Sequence, residues 1–348
     1  MSHGYQAVGW NRQKRIYVRS LWAVVAAFLV VFFAVSFVRH PQSDPMVLAM
    51  RGLAFAAFVL LHVILSIGPL ARLDTRWLPW LYNRRHMGVS MFVLALLHGL
   101  LALVYYHGVG IVSPLESLFT GGRWDSVAEF PFQPLGFFAL VLLFLMAATS
   151  HDFWLAQLSP PVWKTLHMGV YVAYGLLVAH VALGYLQAQT GWGMVLLTGA
   201  GVLWIGGLHL VAGLKERGRD RVGGFPVDED GYCEVMGVED IAEKRGRIVV
   251  LSGDRVAVFR YDGLISAISN ACQHQNGPLG EGRIIDGFVT CPWHGFQYRP
   301  DDGASPPPFT EKVPTFNVKV VNGRVWVHPI PNLPGTRVEP ARIDEDAS

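Results

Sequence analysis

Cysteine is scarce in this chain: Cys233, Cys272 and Cys291 are the three among 348 residues. Three thiols cannot staple a domain, which excludes a disulfide framework and favours a reducing compartment for any soluble part. Two have a further use below, and Cys233 reads as an ordinary strand residue. Charge is scarce too, at 16% of residues, with 28 Lys and Arg against 26 Asp and Glu. A net charge of +2 gives no reason to invoke nucleic acid. No G-x-G-x-x-G follows a strand-like run, which leaves no dinucleotide-binding module in view. The glycines of Gly199–Gly207 fall in an apolar stretch, where packing accounts for them. Asn11–Arg15 lacks the twin arginine of an export signal. The first apolar run is too long for a signal peptide and has no small-residue cleavage site after it.

Hydrophobic residues are abundant, 52% of the chain. They concentrate before residue 214 in six apolar stretches, 18–38, 47–70, 86–107, 134–155, 165–186 and 192–213. Each has about 20 residues, enough to cross a hydrocarbon core of about 30 Å as a helix. The sequence thus predicts a membrane all-α six-helix bundle over 17–214, preceded by a tail at 1–16. Basic residues set its orientation. Arg12, Lys14, Arg15 and Arg19 precede the first stretch, Arg72, Arg76, Arg84 and Arg85 crowd the second connection, Lys164 sits in the fourth, and Lys215, Arg217, Arg219 and Arg221 follow the last. Only Arg39, Arg51 and Arg123 fall on the opposite side. Both termini are therefore expected in the cytoplasm, with the protein multi-pass in the cell membrane and in contact with lipid.

After a charged, glycine-containing linker at 215–225 the texture changes. Short β-like runs follow at Ile248–Leu251, Val256–Arg260, Leu264–Ser269, Phe288–Thr290, Phe316–Val321 and Val325–Val327. Turn signals at Ser252-Gly253-Asp254, Tyr261-Asp262-Gly263, Ile285-Asp286-Gly287 and Asn322-Gly323 punctuate them, as in a small antiparallel all-β domain. That domain is placed at 226–330. Residues 331–348, Pro-rich and then acidic, read as a disordered tail.

Two pieces of the β-domain carry chemistry: Cys272-Gln273-His274 and Cys291-Pro292-Trp293-His294, with 16 residues between them. Two thiolates and two imidazoles suit a mixed-ligand [2Fe–2S] centre, in which cysteines hold one iron and histidines the other. Zinc is the rival, since Cys and His at short spacing also bind Zn²⁺, but C-x-H is a poor zinc-knuckle spacing. The flanking Gln275-Asn276-Gly277-Pro278-Leu279-Gly280 and Gly295-Phe296 extend the match, and residues 226–330 resemble Rieske ferredoxin domains. The resemblance implies Cys272 and Cys291 on one iron, and His274 and His294 on the other. It also implies a proline loop over the cluster at Pro306–Pro308. Gly277 and Gly295 suit tight ligand loops. Rieske proteins of the cytochrome bc type carry a disulfide between these loops and a serine hydroxyl, where this chain has Gly277, Trp293 and Phe296. The potential is therefore expected in the lower part of a range of roughly −150 to +300 mV.

Ionisable residues at membrane depth mark function, and histidines recur there: His62, His86, His98, His107, His151, His167, His180 and His209. His86 and His98 share the third stretch, and His167 and His180 the fifth. Along a helix, spacings of 12 and 13 residues separate them by about 18–20 Å in depth. Together with Gly68-Pro69-Leu70, Tyr82-Asn83-Arg84-Arg85-His86-Met87-Gly88, Leu96-Leu97-His98-Gly99 and Trp163-Lys164-Thr165-Leu166-His167, they make residues 50–213 resemble the ferric reductase-like transmembrane domain. That domain is shared by NADPH oxidases, ferric reductases and the haem subunit of methionine sulfoxide reduction. The resemblance implies haem b, one or two per chain, ligated by His86, His98, His167 and His180. The same spacings rotate each second histidine by about 120° or 140° from the first. Two haems would need a π-bulge or ligation from adjoining faces; with one haem, His98 and His180 form the pair.

The expected function is a membrane oxidoreductase component that passes single electrons between a cytoplasmic Rieske cluster and haem b. A separate cytoplasmic reductase or ferredoxin would be the donor, and an external or quinone molecule the acceptor. A haem-free, membrane-anchored redox sensor or docking module is one rival. An electron-supplying component of an oxygenase system is another.

Overall fold

The computed structural model describes residues 12–127, 129–151, 154, 158, 160–184, 186, 192–220, 224–274, 276–292, 295–307 and 309–343. The chain divides into two compact units, one covering Trp10–Leu210 and the other Val211–Ser348.

The first unit is helical. Its elements are α1 (Arg12–Arg39), α2 (Pro45–Leu73), α3 (Leu78–His107), α4 (Pro114–Thr120), α5 (Gln133–Thr149), α6 (Pro160–Leu183) and α7 (Trp192–Asp220). Asp44 caps α2, its carboxylate accepting the Met46 N–H at 2.7 Å, with Pro45 at the first helical position. Ser113 caps α4 in the same way through Glu116 N–H at 3.2 Å. α2 packs on α1 and α3, α3 on α5, and α5 on α6. Leu61, Leu65, Leu94, Leu143 and Ala173 form the centre of their shared core.

Among the described residues five helices are long and apolar enough to cross a membrane: α1, α2, α3, α6 and α7. The sixth expected span is the shorter α5, 17 residues long, or about 25 Å. It stops at Thr149, short of the expected residue 155. There Thr149 and Ser150 hydroxyls donate to the carbonyls of Leu145 and Met146, both at 2.7 Å, and close the last turn. Two boundaries also differ from expectation. α1 begins at Arg12, inside the expected tail, and α7 runs to Asp220 through half of the expected linker.

The second unit is β-rich. One sheet has the order β1-β10-β9, from Cys233–Gly237, Arg324–Val327 and Val318–Val321. The other has the order β11-β4-β3-β2-β5-β6-β7, from Ala341–Arg342, Leu264–Ser269, Asp254–Tyr261, Arg245–Leu251, Arg283–Ile285, Phe288–Thr290 and Gln297–Tyr298, with β8 (Thr315–Phe316) also on β4. All four turn signals close hairpins with both central residues left-handed: Ser252 and Gly253 at φ 51° and 89°, Asp262 and Gly263 at 48° and 74°, Asp286 and Gly287 at 50° and 82°, and Asn322 and Gly323 at 49° and 70°. That backbone matches the twist of the paired strands.

The single run expected at Phe316–Val321 is two strands in different sheets. Asn317 sits at the switch, where its carbonyl accepts His328 N–H at 2.9 Å and its side chain accepts Asn332 Nδ2 at 3.3 Å. The disordered tail expected from 331 is corrected as far as residue 343. Asn332 N–H donates to Thr315, Val338 N–H to Asp301, and β11 pairs Ala341 with Ile265. This segment covers the free edge of β4, whose backbone groups demand partners. Cys233 opens β1, buried opposite Val327, and burial pushes its thiol above the usual range, which leaves it inert.

Candidate functional site

The β-domain holds Cys272 and Cys291 on two loops, one after β4 and one after β6. Both thiols are buried. The loops close by the same main-chain pattern. In the first, Cys272 N–H donates to Gly277 C=O at 3.0 Å, and Asn276 N–H donates to Cys272 C=O at 2.6 Å. In the second, Cys291 N–H donates to Phe296 C=O at 2.8 Å, and Gly295 N–H donates to Cys291 C=O at 3.0 Å. Among the described residues of each turn, one is left-handed, four positions after the cysteine: Asn276 at φ 56° and Gly295 at φ 73°. The expectation for Gly277 is thus corrected: its neighbour Asn276 makes the turn, a residue whose short side chain tolerates that conformation.

Around these loops the β-domain is aromatic. The His274 ring stacks on Phe296, with centroids 5.2 Å apart and planes at 6°. Phe296 in turn meets Phe309 at 4.9 Å and Tyr298 at 5.3 Å. Phe309 N–H donates to Pro306 C=O at 3.1 Å, so the proline segment turns back onto this patch. Trp293, His294 and Pro308 lie outside the described residues.

Sequence reasoning missed Tyr298. Its side chain is fully buried, with the hydroxyl 3.4 Å from Cys272 Sγ and accepting the Gln273 N–H at 2.9 Å. Burial, and then the Cys272 thiol beside it, push the phenol above its usual range, so it stays protonated. A tyrosine seven residues past the second cysteine was its available signal.

These residues fit a two-iron cluster: two buried thiols on matched loops, an imidazole beside them, and a hydroxyl at one sulfur. Among the described residues no three His, Cys, Asp or Glu side chains converge as they would on one metal ion. Ligands divided between two irons need not converge.

In the helical unit the histidines separate by what their ring nitrogens do. Nδ1 of His98 on α3 donates to Met50 C=O at 3.0 Å, and Nδ1 of His180 on α6 donates to Phe132 C=O at 2.9 Å. A carbonyl can only accept, so Nδ1 carries the proton and Nε2 the lone pair, the form that ligates a metal. No group among the described residues is seen to bond either Nε2. Gly136 on α5 makes room, since a Cβ there would stand 2.9 Å from His180 Nδ1 and Cε1.

At four other histidines Nε2 is engaged. Tyr174 donates to His62 at 3.1 Å and Tyr171 to His209 at 3.0 Å. His107 is held on both nitrogens by Ser117 and Gln133. His167 stacks on Trp163 at 3.8 Å and has Ser150 Oγ 3.4 Å from Nε2. His86 precedes His98 on α3, which is unbroken α-helix from Leu78 to His107, and α6 is equally regular from His167 to His180. Neither helix contains the π-bulge that realignment of both pairs would require.

Comparison with known proteins follows the same division. The protein-methionine-sulfoxide reductase heme-binding subunit MsrQ of Ralstonia nicotianae is 31% identical over 139 residues, 40% of this chain and 59% of that one. The oxygenase component of dicamba O-demethylase from Stenotrophomonas maltophilia is 28% identical over 122 residues, 30% of this chain and 35% of that one. The chain thus spans less than two thirds of these curated relatives. A solved complex of reduced oxygenase and oxidized ferredoxin in carbazole 1,9a-dioxygenase is 27% identical with a TM-score of 0.28, over 30% of this chain and 97% of that one. The model of the ferric reductase like transmembrane component matches residues 51–178, and that of the Rieske [2Fe-2S] domain matches residues 231–317. The chain therefore joins a ferric reductase-like transmembrane component to a Rieske [2Fe–2S] domain.

Proposed function

We propose that the protein is a membrane electron-transfer component that passes single electrons between its Rieske centre and haem b among its helices. Cys272, His274, Cys291 and His294 are the proposed cluster ligands, and His98 and His180 the haem ligands. Such centres take up and release one electron without making or breaking bonds. The chain's own residues supply the setting. Main-chain bonds fix the thiol-bearing loops, Phe296 orients His274, and the carbonyls of Met50 and Phe132 hold two imidazoles in the ligating tautomer. The single observation that carries the haem assignment is the pair of open Nε2 atoms on α3 and α6. His86 and His167 would serve a second haem, which on regular helices means ligation from adjoining faces.

The bundle is read as six spans, α5 being the shortest. The sided basic residues support cytoplasmic termini. A cytoplasmic reductase or ferredoxin would then be the donor and an external or quinone molecule the acceptor, with electrons moving outward. The oxygenase and ferredoxin likenesses of the β-domain support an alternative in which electrons go to an oxygenase subunit. Purified full-length protein should show the Rieske EPR signal together with b-type haem in a pyridine haemochrome assay. The EPR signal without haem would overturn the reading in favour of an anchored sensor.

A further inference from the structure

Buried polar atoms in folded proteins find hydrogen-bond partners, and one that does not calls for an explanation. Ser305 is such a residue. It is 6% exposed, and its hydroxyl has no hydrogen-bond partner among the described residues. It opens the arm that carries Pro306–Pro308, anchored there by Ser305 N–H donating to Glu311 C=O at 2.9 Å. Thr310, the other hydroxyl of the arm, is exposed. Packing alone would be served by alanine, as at the buried Ala304 beside it. The hydroxyl is what needs an acceptor.

The main-chain pairing sets which way Ser305 faces. Beyond β7 the chain reverses: Gly303 N–H donates to Arg299 C=O, and Arg299 N–H donates to Ala304 C=O, both at 2.9 Å. Gly303 and Ala304 thus oppose Arg299 together, as in a bulge, and the next opposed pair is Tyr298 with Ser305. Pro306 has no N–H to continue the ladder, so the pairing stops there. Directly opposed residues of an antiparallel pair send their side chains to one face. Ser305 therefore shares the face of Tyr298, whose hydroxyl lies 3.4 Å from Cys272 Sγ. Further along the arm Phe309 meets Phe296, which stacks on His274.

We infer that the Ser305 hydroxyl donates a hydrogen bond to a sulfide of the cluster and helps to set its potential, as a second donor beside Tyr298. The inference rests on the cluster reading and deepens it. Ser305 holds such a bond more tightly when the centre carries the extra electron, because the acceptor is then more negative. The electron enters and leaves alone: the hydroxyl keeps its proton and no covalent bond changes.

The test is an EPR-monitored redox titration of full-length protein in membranes. Ser305→Ala should weaken the affinity of the cluster for its electron about fivefold, a fall of about 40 mV at 59 mV per tenfold. Ser305→Thr, which keeps the hydroxyl, should stay within about twofold of the unsubstituted protein. In a Tyr298→Phe background Ser305→Ala should lower the potential again, since the two hydroxyls reach separate acceptors. A potential unmoved or raised by Ser305→Ala would mean that the hydroxyl bonds only buried water. A fall that vanishes in the Tyr298→Phe background would mean that it acts through Tyr298. Either result would overturn the inference. Should Ser305→Ala not fold, Ser305→Gly deletes the same hydroxyl and is read in the same way. Unsubstituted protein with no Rieske EPR signal would sink the cluster reading itself, whereas a signal whose potential ignores Ser305 sinks this inference alone.

Discussion

Replacing Tyr298 by phenylalanine tests the cluster assignment with one oxygen atom. The ring is fully buried beside Phe296, so packing is retained. The loss is the hydroxyl 3.4 Å from Cys272 Sγ, which also accepts the Gln273 N–H. A donor aimed at a ligating sulfur stabilises the reduced, more negative state more than the oxidised one, so its removal lowers the potential. A neutral hydrogen bond contributes about 1 kcal/mol net. At 59 mV per tenfold change for one electron, Tyr298→Phe should lower the potential by about 40 mV. The orphaned Gln273 N–H should cost a further ~1–3 kcal/mol of stability. An EPR-monitored redox titration of full-length protein in membranes reads the shift. A potential unchanged within about 10 mV, or raised, would show that the hydroxyl does not donate to a cluster sulfur. Tyr298 also qualifies the low potential expected from the missing serine, since one hydroxyl donor is present after all.

His98→Ala or His180→Ala should abolish b-type haem absorbance, whereas His209→Gln, at a ring already engaged on both nitrogens, should leave it intact; reduced-minus-oxidised spectra read both. Gly136→Ala places a methyl 2.9 Å from the His180 ring, and overpacking of about 1–3 kcal/mol should lower haem content per chain. Asn276→Ala forces an ordinary side chain into the left-handed region and should cost ~1–2 kcal/mol in thermal unfolding, while Asn276→Gly should be tolerated. Lys319, 2.6 Å from Asp228 and over the Tyr232 ring, holds that carboxyl below its usual range. A depressed acid stabilises above its unfolded pKa of about 3.9 and loses that contribution as pH falls through the folded value. Lys319→Met should therefore reduce stability at neutral pH and change it little at the acid extreme, as read by denaturant unfolding across pH.

Local chemistry was legible and long-range pairing was not. Turn dipeptides such as Asp262-Gly263 and Asn322-Gly323 announce themselves, because few residues accept paired left-handed angles. β5 and β7 have three and two residues, too short for any alternation to register, and they owe their existence to β6 between them. β11 lies in a stretch whose prolines suggested disorder, yet the open edge of β4 orders it. In the membrane, histidine positions were plain but their availability was not. Whether Nε2 is engaged depends on Tyr171 and Tyr174 from α6, partners 38 and 112 residues away in sequence. Asn276 passed unnoticed beside Gly277, the more obvious turn residue.

The matched closure of the two cysteine loops bears on metal removal and on speed. Their bonds run from main chain to main chain and involve neither sulfur nor imidazole. Zinc fingers, by contrast, collapse around their ion and have no fold without it. Here main-chain bonds that do not involve the ligand atoms supply part of the frame, so removal of the metal should cost the β-domain less than it costs a zinc finger. The same bonds restrain both cysteines when an electron arrives or leaves, and small rearrangement is the condition under which a relay turns over quickly.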